Sequence, residues 1–534
     1  MALARNVGTV GGATLASRVL AFLRDAGIAA LLGAGPMADA YFAALQIPNL
    51  FRRLLAEGAF NAAFVPMWLR IRERDGDDGA RRFAEGALGA MALGLAALAL
   101  VLAVAAPLVV RLIAPGFAAG GDRFALAVHL VRLSVPYVAV AGTLAVLAAV
   151  LNAERRVVAT AFGPIVFNAV MLAAVAALLL GHAPGGVPGG VSVPAVLAVA
   201  FVVAGIGQTG LIGGAVARLP VRPRKVVRKP SPDVRRLLVQ AGPGLVAAGI
   251  PQLTLLAGAM IASPSPAGVS WLYYADRLYE FPLGVVSVAI AAVIGPVIAL
   301  QVRSGTNAEV AAAQSRAFEI ALALALPAAT GFVLLAEPIA RALFERGAFT
   351  PHDTQMVAAA LAAIAMGLPG HVAEKVLGAV SFAHEDTRTP MVAALCGLAV
   401  AAAAGILAFP RFGHVGVAAA IATAGYVGSA ILGTVLARRK WLSLDRAAGT
   451  RLPRIAAATL LMALVLAGAN TLLAALGPSV AVPATTLGRF ALLALLLGAG
   501  LGTYVAALEA LGIATTADIT AALKRRHPQP PRAP

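Results

Sequence analysis

Cysteine is nearly absent from this chain: of 534 residues only Cys396 carries a thiol, and it lies in an apolar run. One thiol excludes an internal disulfide and a cysteine metal cluster. Charge is scarce too. Asp, Glu, Lys and Arg together make up 12% of the residues, whereas a soluble globular protein carries about a quarter. The histidines (His129, His182, His352, His371, His384, His414 and His527) show no spacing that sets two of them on one helical face beside a carboxylate, so no zinc site is legible. No Gly-x-x-x-x-Gly-Lys-Ser/Thr loop is present to grip a nucleoside triphosphate, and no aspartate-rich run to hold magnesium for prenyl or phosphosugar transfer. A cleavable signal is also missing. Arg5 precedes the first apolar segment, but that segment contains Arg18 and Arg24 and ends in no small-residue cleavage site, so it reads as a retained helix.

What the chain has is apolar length. Hydrophobic residues make up 60% of it, and its mean hydropathy is +0.88. Only helices or closed barrels satisfy the backbone in lipid. Runs of about 20 residues favour helices over the roughly ten-residue alternating strands of a barrel. The fold class is therefore an all-α polytopic membrane protein. Fourteen transmembrane helices are expected, over 7–33, 38–69, 83–114, 124–152, 159–181, 193–217, 234–262, 268–301, 315–336, 354–383, 388–409, 414–437, 452–476 and 488–512. Pro48 and Pro282 are expected to break or tilt the long second and eighth segments.

A net charge of +18 would suit a nucleic-acid binder, but the basic residues sit in short loops between apolar segments, where they orient a membrane protein. The second connection carries Arg70, Arg72, Arg74, Arg81 and Arg82, and the fourth carries Arg155 and Arg156. The sixth runs from Arg218 to Arg236, and the twelfth from Arg438 to Arg454. Odd connections are poor in such residues, with Arg123 in the third, Arg341 and Arg346 around the ninth, and Arg411 in the eleventh. This alternation places both termini and the basic loops in the cytoplasm.

The sequence also repeats. Ala106-Pro107-Leu108 with Leu112 and Gly116 returns as Glu337-Pro338-Ile339 with Leu343 and Gly347, about 231 residues later. Pro136 answers to Pro369, Pro164 to Pro390, and Asp39 more loosely to Asp276. Six helices separate the copies, an even number, so both have one orientation: the parallel-repeat plan of transporters. The expected organisation is an N-lobe of helices one to six over 1–217 and a C-lobe of helices seven to twelve over 237–440, related by a pseudo-two-fold repeat. A basic cytoplasmic linker over 218–236 joins them. Two final helices over 441–512 and a cytoplasmic tail over 513–534 complete the chain. The proline-punctuated linker reads as a topology signal and spacer, with contact to anionic lipid headgroups as the alternative.

The chemistry concentrates between Thr14 and Pro66. This stretch is apolar enough for a membrane, yet it holds Arg18, Arg24, Asp25, Asp39, Arg52, Arg53 and Glu57. A charge at the bilayer centre costs roughly 2.5–3.5 kcal/mol on insertion scales, so several in two successive helices imply a water-filled cavity. Ser17 and Arg24 share one face of the first helix, and Arg18 and Asp25 a neighbouring one. Arg53 and Glu57 are spaced to pair, as are Arg277 and Glu280; Asp276 shares the face of Glu280. Four arginines against three carboxylates leave guanidinium in excess, and its planar fork recognises phosphate and carboxylate. An anionic substrate follows.

These residues fall into a familiar order. Thr14-Leu15-Ala16-Ser17-Arg18, Arg24-Asp25, Ala38-Asp39-Ala40, and Ile47-Pro48-Asn49-Leu50-Phe51-Arg52-Arg53-Leu54 with Ala56-Glu57-Gly58-Ala59-Phe60 resemble the amino-terminal signature of the MurJ (MviN) family. Tyr274-Ala275-Asp276-Arg277-Leu278 with Glu280 and Pro282, and Asp386-Thr387-Arg388-Thr389-Pro390, extend the resemblance through eleven helices. The family comprises lipid II flippases of the MOP exporter superfamily. The resemblance implies two six-helix lobes around a cationic cavity and two last helices that form a groove for the lipid tail. It implies transport of the undecaprenyl-diphosphate-linked peptidoglycan precursor from the cytoplasmic to the periplasmic leaflet. Its substrate-binding residues here would be Ser17, Arg18, Arg24, Arg52 and Arg277, the arginines holding the diphosphate. Asp25, Asp39, Arg53, Glu57, Asp276 and Glu280 would gate or balance charge. The implied setting is the bacterial inner membrane, with lipid II, the phospholipid bilayer and cell-wall synthesis proteins as partners and no nucleic acid. No cofactor is expected, and coupling would be to the membrane potential or a monovalent cation. Some members bind sodium in the second lobe; here the eleventh helix, Met391 to Phe409, has no Asp, Glu, Asn or Gln, which speaks against that site. Rival readings are an exporter of another lipid-linked oligosaccharide, a multidrug exporter of the same superfamily, a polyprenyl-phosphate transferase, and a scaffold that transports nothing.

Overall fold

The computed structural model describes residues 2–56, 59–181, 192–227, 231–290, 294–477, 482–483 and 485–513. Glu57 and residues 514–534 of the expected tail lie outside them. Among the described residues the regular structure is helical throughout, with no strand. In order come α1 (Ala2–Leu32), α2 (Pro36–Ala56), α3 (Ala59–Val104), α4 (Ala106–Ile113), α5 (Asp122–Ser134), α6 (Pro136–Ala153), α7 (Val157–Gly181), α8 (Val193–Val216), α9 (Pro232–Ala262), α10 (Gly268–Ala289) and α11 (Gly295–Ser304). The series continues with α12 (Asn307–Leu334), α13 (Ala336–Phe344), α14 (Pro351–Ala365), α15 (Leu368–Ala383), α16 (Arg388–Arg438), α17 (Ala448–Leu476) and α18 (Thr486–Ala510).

Each of the fourteen expected segments finds a helix or a kinked pair of helices among the described residues. Two long elements each hold parts of two segments. In α3 the chain turns at Gly76, whose φ of 69° suits a residue without Cβ. Phe83 then meets Phe64 with ring centroids 5.1 Å apart, so the two halves of α3 fold back on each other. The same device recurs at Gly413 of α16, with φ of 54°. By length and composition, nine helical runs among the described residues can cross a membrane. The helices that fall short are informative. α1 carries Arg18, Arg24 and Asp25, and α10 carries Asp276, Arg277 and Glu280; both are diluted by the charges that draw attention to them.

The long second and eighth segments are each covered by two helices, as expected, but the helices do not part at the expected prolines. Neither Pro48 nor Pro282 ends its helix; α2 and α10 run through them. A membrane helix tolerates the lost donor because neighbouring groups take up the freed carbonyls. The breaks fall instead at Ala105, Val135, Leu335 and Gly367, each followed within three residues by Pro107, Pro136, Pro338 or Pro369. There the proline occupies an early position of the next helix, whose amide would have no intrahelical partner anyway. These four breaks are the two halves of the sequence repeat. α4 and α13 are corresponding short amphipathic helices, burying Val109, Val110 and Ile113 in one and Ile339, Ala340 and Phe344 in the other.

The chain divides into two compact units. The first comprises Met1–Ser270 with Arg346–Thr350, the second Trp271–Glu345 with Pro351–Pro534. The division falls beyond the 218–236 linker, and α9 packs against α2, α3 and α4 of the first unit. In that unit Phe60, Phe64 and Trp68 stack at helical spacing along α3. Tyr137, Phe167 and Phe201 join α6, α7 and α8. Each such aromatic pair contributes about 0.5–1.5 kcal/mol beyond its burial. In the second unit Tyr274 packs on Phe344. Leu180, Leu407 and Leu487 are among many exposed large apolar side chains, the arrangement for a protein whose outer surface meets lipid.

Candidate functional site

In the first unit the charges on α1 are organised by a residue that sequence reasoning passed over. Asn168 sits inside α7, a helix of otherwise apolar and small residues that packs along α1. Its side-chain oxygen accepts from Arg24 Nη1 at 2.8 Å. Its amide donates to the Ser17 carbonyl at 3.1 Å and to Ser17 Oγ at 3.2 Å. Arg24 also donates from Nε and Nη2 to Asp25 Oδ1, at 2.9 and 2.7 Å. The guanidinium is thus held from two helices, and the Asp25 carboxylate beneath it is 4% exposed. The expected shared face of Ser17 and Arg24 is real, since both meet one asparagine. The signal was available: a lone amide in an apolar helix must find a polar partner across a helix interface. Arg18 is half-buried and makes no ion pair or hydrogen bond among the described residues.

On α2, Arg52 donates from Nε to Asn49 Oδ1 at 3.3 Å. Arg53 is half-buried, and its expected partner Glu57 lies outside the described residues. Asp39, in the first turn of α2, is completely buried. Its carboxylate accepts from the Ser270 amide at 2.8 Å and from Arg123 Nη1 at 3.3 Å. From the sequence Arg123 reads as a loop cation, but it stands in the first turn of α5. It also reaches the carbonyls of Gly116, Ser263 and Ser265 at 3.2–3.5 Å, and its guanidinium lies over the Phe117 ring at 4.2 Å. A charge pair buried this way is a fastener: taking one partner away strands the other.

In the second unit Arg277 donates from Nη1 to Glu280 Oε2 at 2.7 Å, the pairing expected from their spacing. Its guanidinium stands 4.7 Å from the centre of the Tyr273 ring. Asp276 is buried on the same helix. The Asp386-Thr387-Arg388-Thr389-Pro390 motif serves the fold. Asp386 lies between α15 and α16 and accepts from the amides of Arg388 and Thr389, both at 3.0 Å, and from Arg439 Nη1 at 2.5 Å. Burial pushes its carboxyl up, but the bonds from Thr389, Arg439 and Arg388 outweigh it and bring it down to about 2.

The residues converge on one kind of chemistry. Guanidinium groups on α1, α2 and α10 stand in apolar helices, fixed by carboxylates, amides and an aromatic face. Such groups bind phosphate or carboxylate oxygens in a planar, two-pronged way.

Comparison with known proteins agrees. The family model described as lipid II flippase MurJ matches residues 28–486. A protein of Rhizobium meliloti (strain 1021) named "Probable lipid II flippase MurJ" is 39% identical over 98% of this chain and 97% of its own length. A protein of the same name from Rhizobium tropici is 38% identical over 99% of this chain and 98% of its own. Among solved structures, "Lipid II flippase MurJ, inward closed conformation" superposes with a TM-score of 0.76 at 21% identity, covering 97% of this chain and 99% of that one. An inward-facing multidrug resistance MATE family transporter of the MOP superfamily follows with a TM-score of 0.65 at 13% identity, over 79% and 94%. At those identities the structures speak for the fold, while the family model and the curated relatives speak for descent: this chain belongs to the lipid II flippase MurJ family.

Proposed function

We propose that the chain is a transporter that moves lipid II, the undecaprenyl-diphosphate-linked peptidoglycan precursor, from the cytoplasmic to the periplasmic leaflet of the bacterial inner membrane. The observation that carries this reading is the braced guanidinium of Arg24, held by Asp25 and Asn168 inside an apolar helix with Arg18 less than two turns away. Arg18, Arg24, Arg52 and Arg277 take the diphosphate, whose oxygens match the guanidinium fork. Ser17 lies beside Arg24 through Asn168. Asp25, Asp39, Arg53, Glu57, Asp276 and Glu280 balance the charge between rounds of binding or gate access. Access to the arginines alternates between the two faces of the membrane while the polyprenyl chain stays in lipid, against a groove formed with α17 and α18.

No covalent bond is made or broken in this cycle, so the protein acts as a transporter and not as an enzyme. Both termini lie in the cytoplasm, as the basic loops direct. The cycle draws on the membrane potential, worth roughly 2.3 kcal/mol per charge per 100 mV. The test is complementation of bacteria depleted of their own lipid II flippase. Wild type rescues growth, and Arg24→Ala at equal abundance does not. A correctly inserted wild type that fails to rescue would remove lipid II as the substrate.

A further inference from the structure

The second unit holds a cluster of titratable groups that the arginine chemistry does not use. We propose that Glu374, Tyr279 and His371 form a proton-binding site. Its place in transport rests on the flippase reading, whereas the site itself does not.

Glu374 lies within α15, half-buried in a run long and apolar enough to cross a membrane. It faces the backbone of α16: a Cβ on Gly428 would stand 2.5 Å from Glu374 Oε1, so a glycine is what makes room for the carboxyl. One turn earlier His371 is pressed on the same helix, where a Cβ on Gly425 would come within 2.4 Å of the His371 amide nitrogen. Two glycines three residues apart thus seat two titratable side chains three residues apart. Among the described residues no hydrogen bond reaches the Glu374 carboxyl. A charge in that position is costly, and taking up a proton removes it.

His371 supplies the connection. Its Nδ1 lies 3.0 Å from the Gly367 carbonyl and 2.9 Å from the Tyr279 hydroxyl. A carbonyl only accepts, so Nδ1 carries a hydrogen and shares it with both oxygens. Tyr279 keeps its own hydrogen to donate, and the carboxylates that act on it electrostatically are Asp276 and Glu374. The Gly367 carbonyl is available for this because α14 and α15 part at that residue, ahead of Pro369. Tyr426 of α16 takes the neighbouring Met366 carbonyl at 2.7 Å. Glu374 takes up one proton and becomes neutral beside the hydrogen-bonded Tyr279–His371 pair, and no other reactant is needed.

The groups facing the cluster are Lys375, exposed on α15, Asp276 on α10 and Tyr426 on α16. The charged residues of the other helices packed on α15 are engaged elsewhere: Arg303 of α11 with Glu385, Glu309 of α12 in its own cap, and Arg316 and Glu319 of α12 with each other and with Arg451. Tyr279 stands between Arg277 and Glu280 in sequence, so the protonation state of the cluster acts on the helix that presents Arg277.

Infrared difference spectra of the full chain in nanodiscs of phosphatidylethanolamine and phosphatidylglycerol, taken across a pH series, test the site. Wild type should show a carboxylic-acid C=O band that grows as pH falls, and Glu374→Gln should lose it. Glu374→Asp should move the band in frequency, and His371→Gln should shift its midpoint. A band unchanged in Glu374→Gln overturns the proposal. Should that variant not fold, a band unmoved in Glu374→Asp overturns it equally. In vesicles of the same lipids loaded with lipid II, flipping by wild type should vary with pH and flipping by Glu374→Gln should not; matching profiles break the link to transport. A chain that titrates at Glu374 and moves no lipid II keeps the proton site and removes the flippase reading instead.

Discussion

The two arginine sites are built to opposite plans. In the first unit Arg24 is held across a helix interface by Asp25 from its own helix and Asn168 from α7, with Ser17 tied to the same asparagine. In the second, Arg277 pairs with Glu280 one turn along its own helix and leans on Tyr273 four residues back. The first arrangement needs tertiary structure and fixes the guanidinium in place. The Arg277–Glu280 pair itself forms wherever α10 is helical.

That contrast can be broken by substitution. The largest effect is expected for Arg24→Ala, which removes a proposed phosphate ligand and takes the Arg24 guanidinium away from the buried Asp25 carboxylate. Flipping in vesicles should fall about a hundredfold or more, and stability to detergent-phase thermal unfolding by about 3–5 kcal/mol. Arg277→Ala should cost flipping about tenfold or more, with a stability loss near the 0.3–0.5 kcal/mol of a pair within one helix. Equal stability losses in the two variants would erase the distinction. Asn168→Ala sharpens it: every charge is kept, yet Arg24 and Ser17 lose their shared partner, for about 1–3 kcal/mol and a several-fold loss of flipping. A normal flipping rate in that variant would show that Asn168 is not needed to hold Arg24.

The smallest effect separates fold from function. Asp386 has a carboxyl depressed below its unfolded value near 3.8, to about 2. Its contribution to stability is present in full above the unfolded value and is lost as pH falls through about 2. The stability gap between wild type and Asp386→Asn should therefore be constant from neutral pH to about pH 5 and close below it, with flipping at neutral pH within about twofold. A gap that widens on acidification would contradict the hydrogen bonds assigned to Asp386.

Much of this was legible in the chain, for reasons that can be named. Segment boundaries follow from apolar length, since lipid leaves the backbone no choice but helix. The Arg277–Glu280 pair was readable because three residues along a helix set two side chains on one face. The partners of Asn168 and Arg123 were not. Each is a single polar residue whose partners are remote in sequence, Ser17 and Arg24 for the one, Asp39 and Ser263 for the other. No local period relates 17 to 168 or 39 to 123. The division of the second and eighth segments was readable, but not that α2 and α10 run on through Pro48 and Pro282, for a related reason. A proline says that one hydrogen bond is lost, and only the surroundings decide whether the helix stops there.

The sequence by itself determined a membrane-crossing helical chain, an internal duplication marked by Pro107, Pro136, Pro338 and Pro369, and a surplus of arginine where charge is expensive. Tertiary structure alone decided which arginine is braced, that Asp39 is closed over by Arg123, and that Gly425 and Gly428 seat His371 and Glu374 against the backbone of α16. Composition and periodicity act through neighbours along the chain, whereas a buried charge is satisfied by whatever the fold brings beside it.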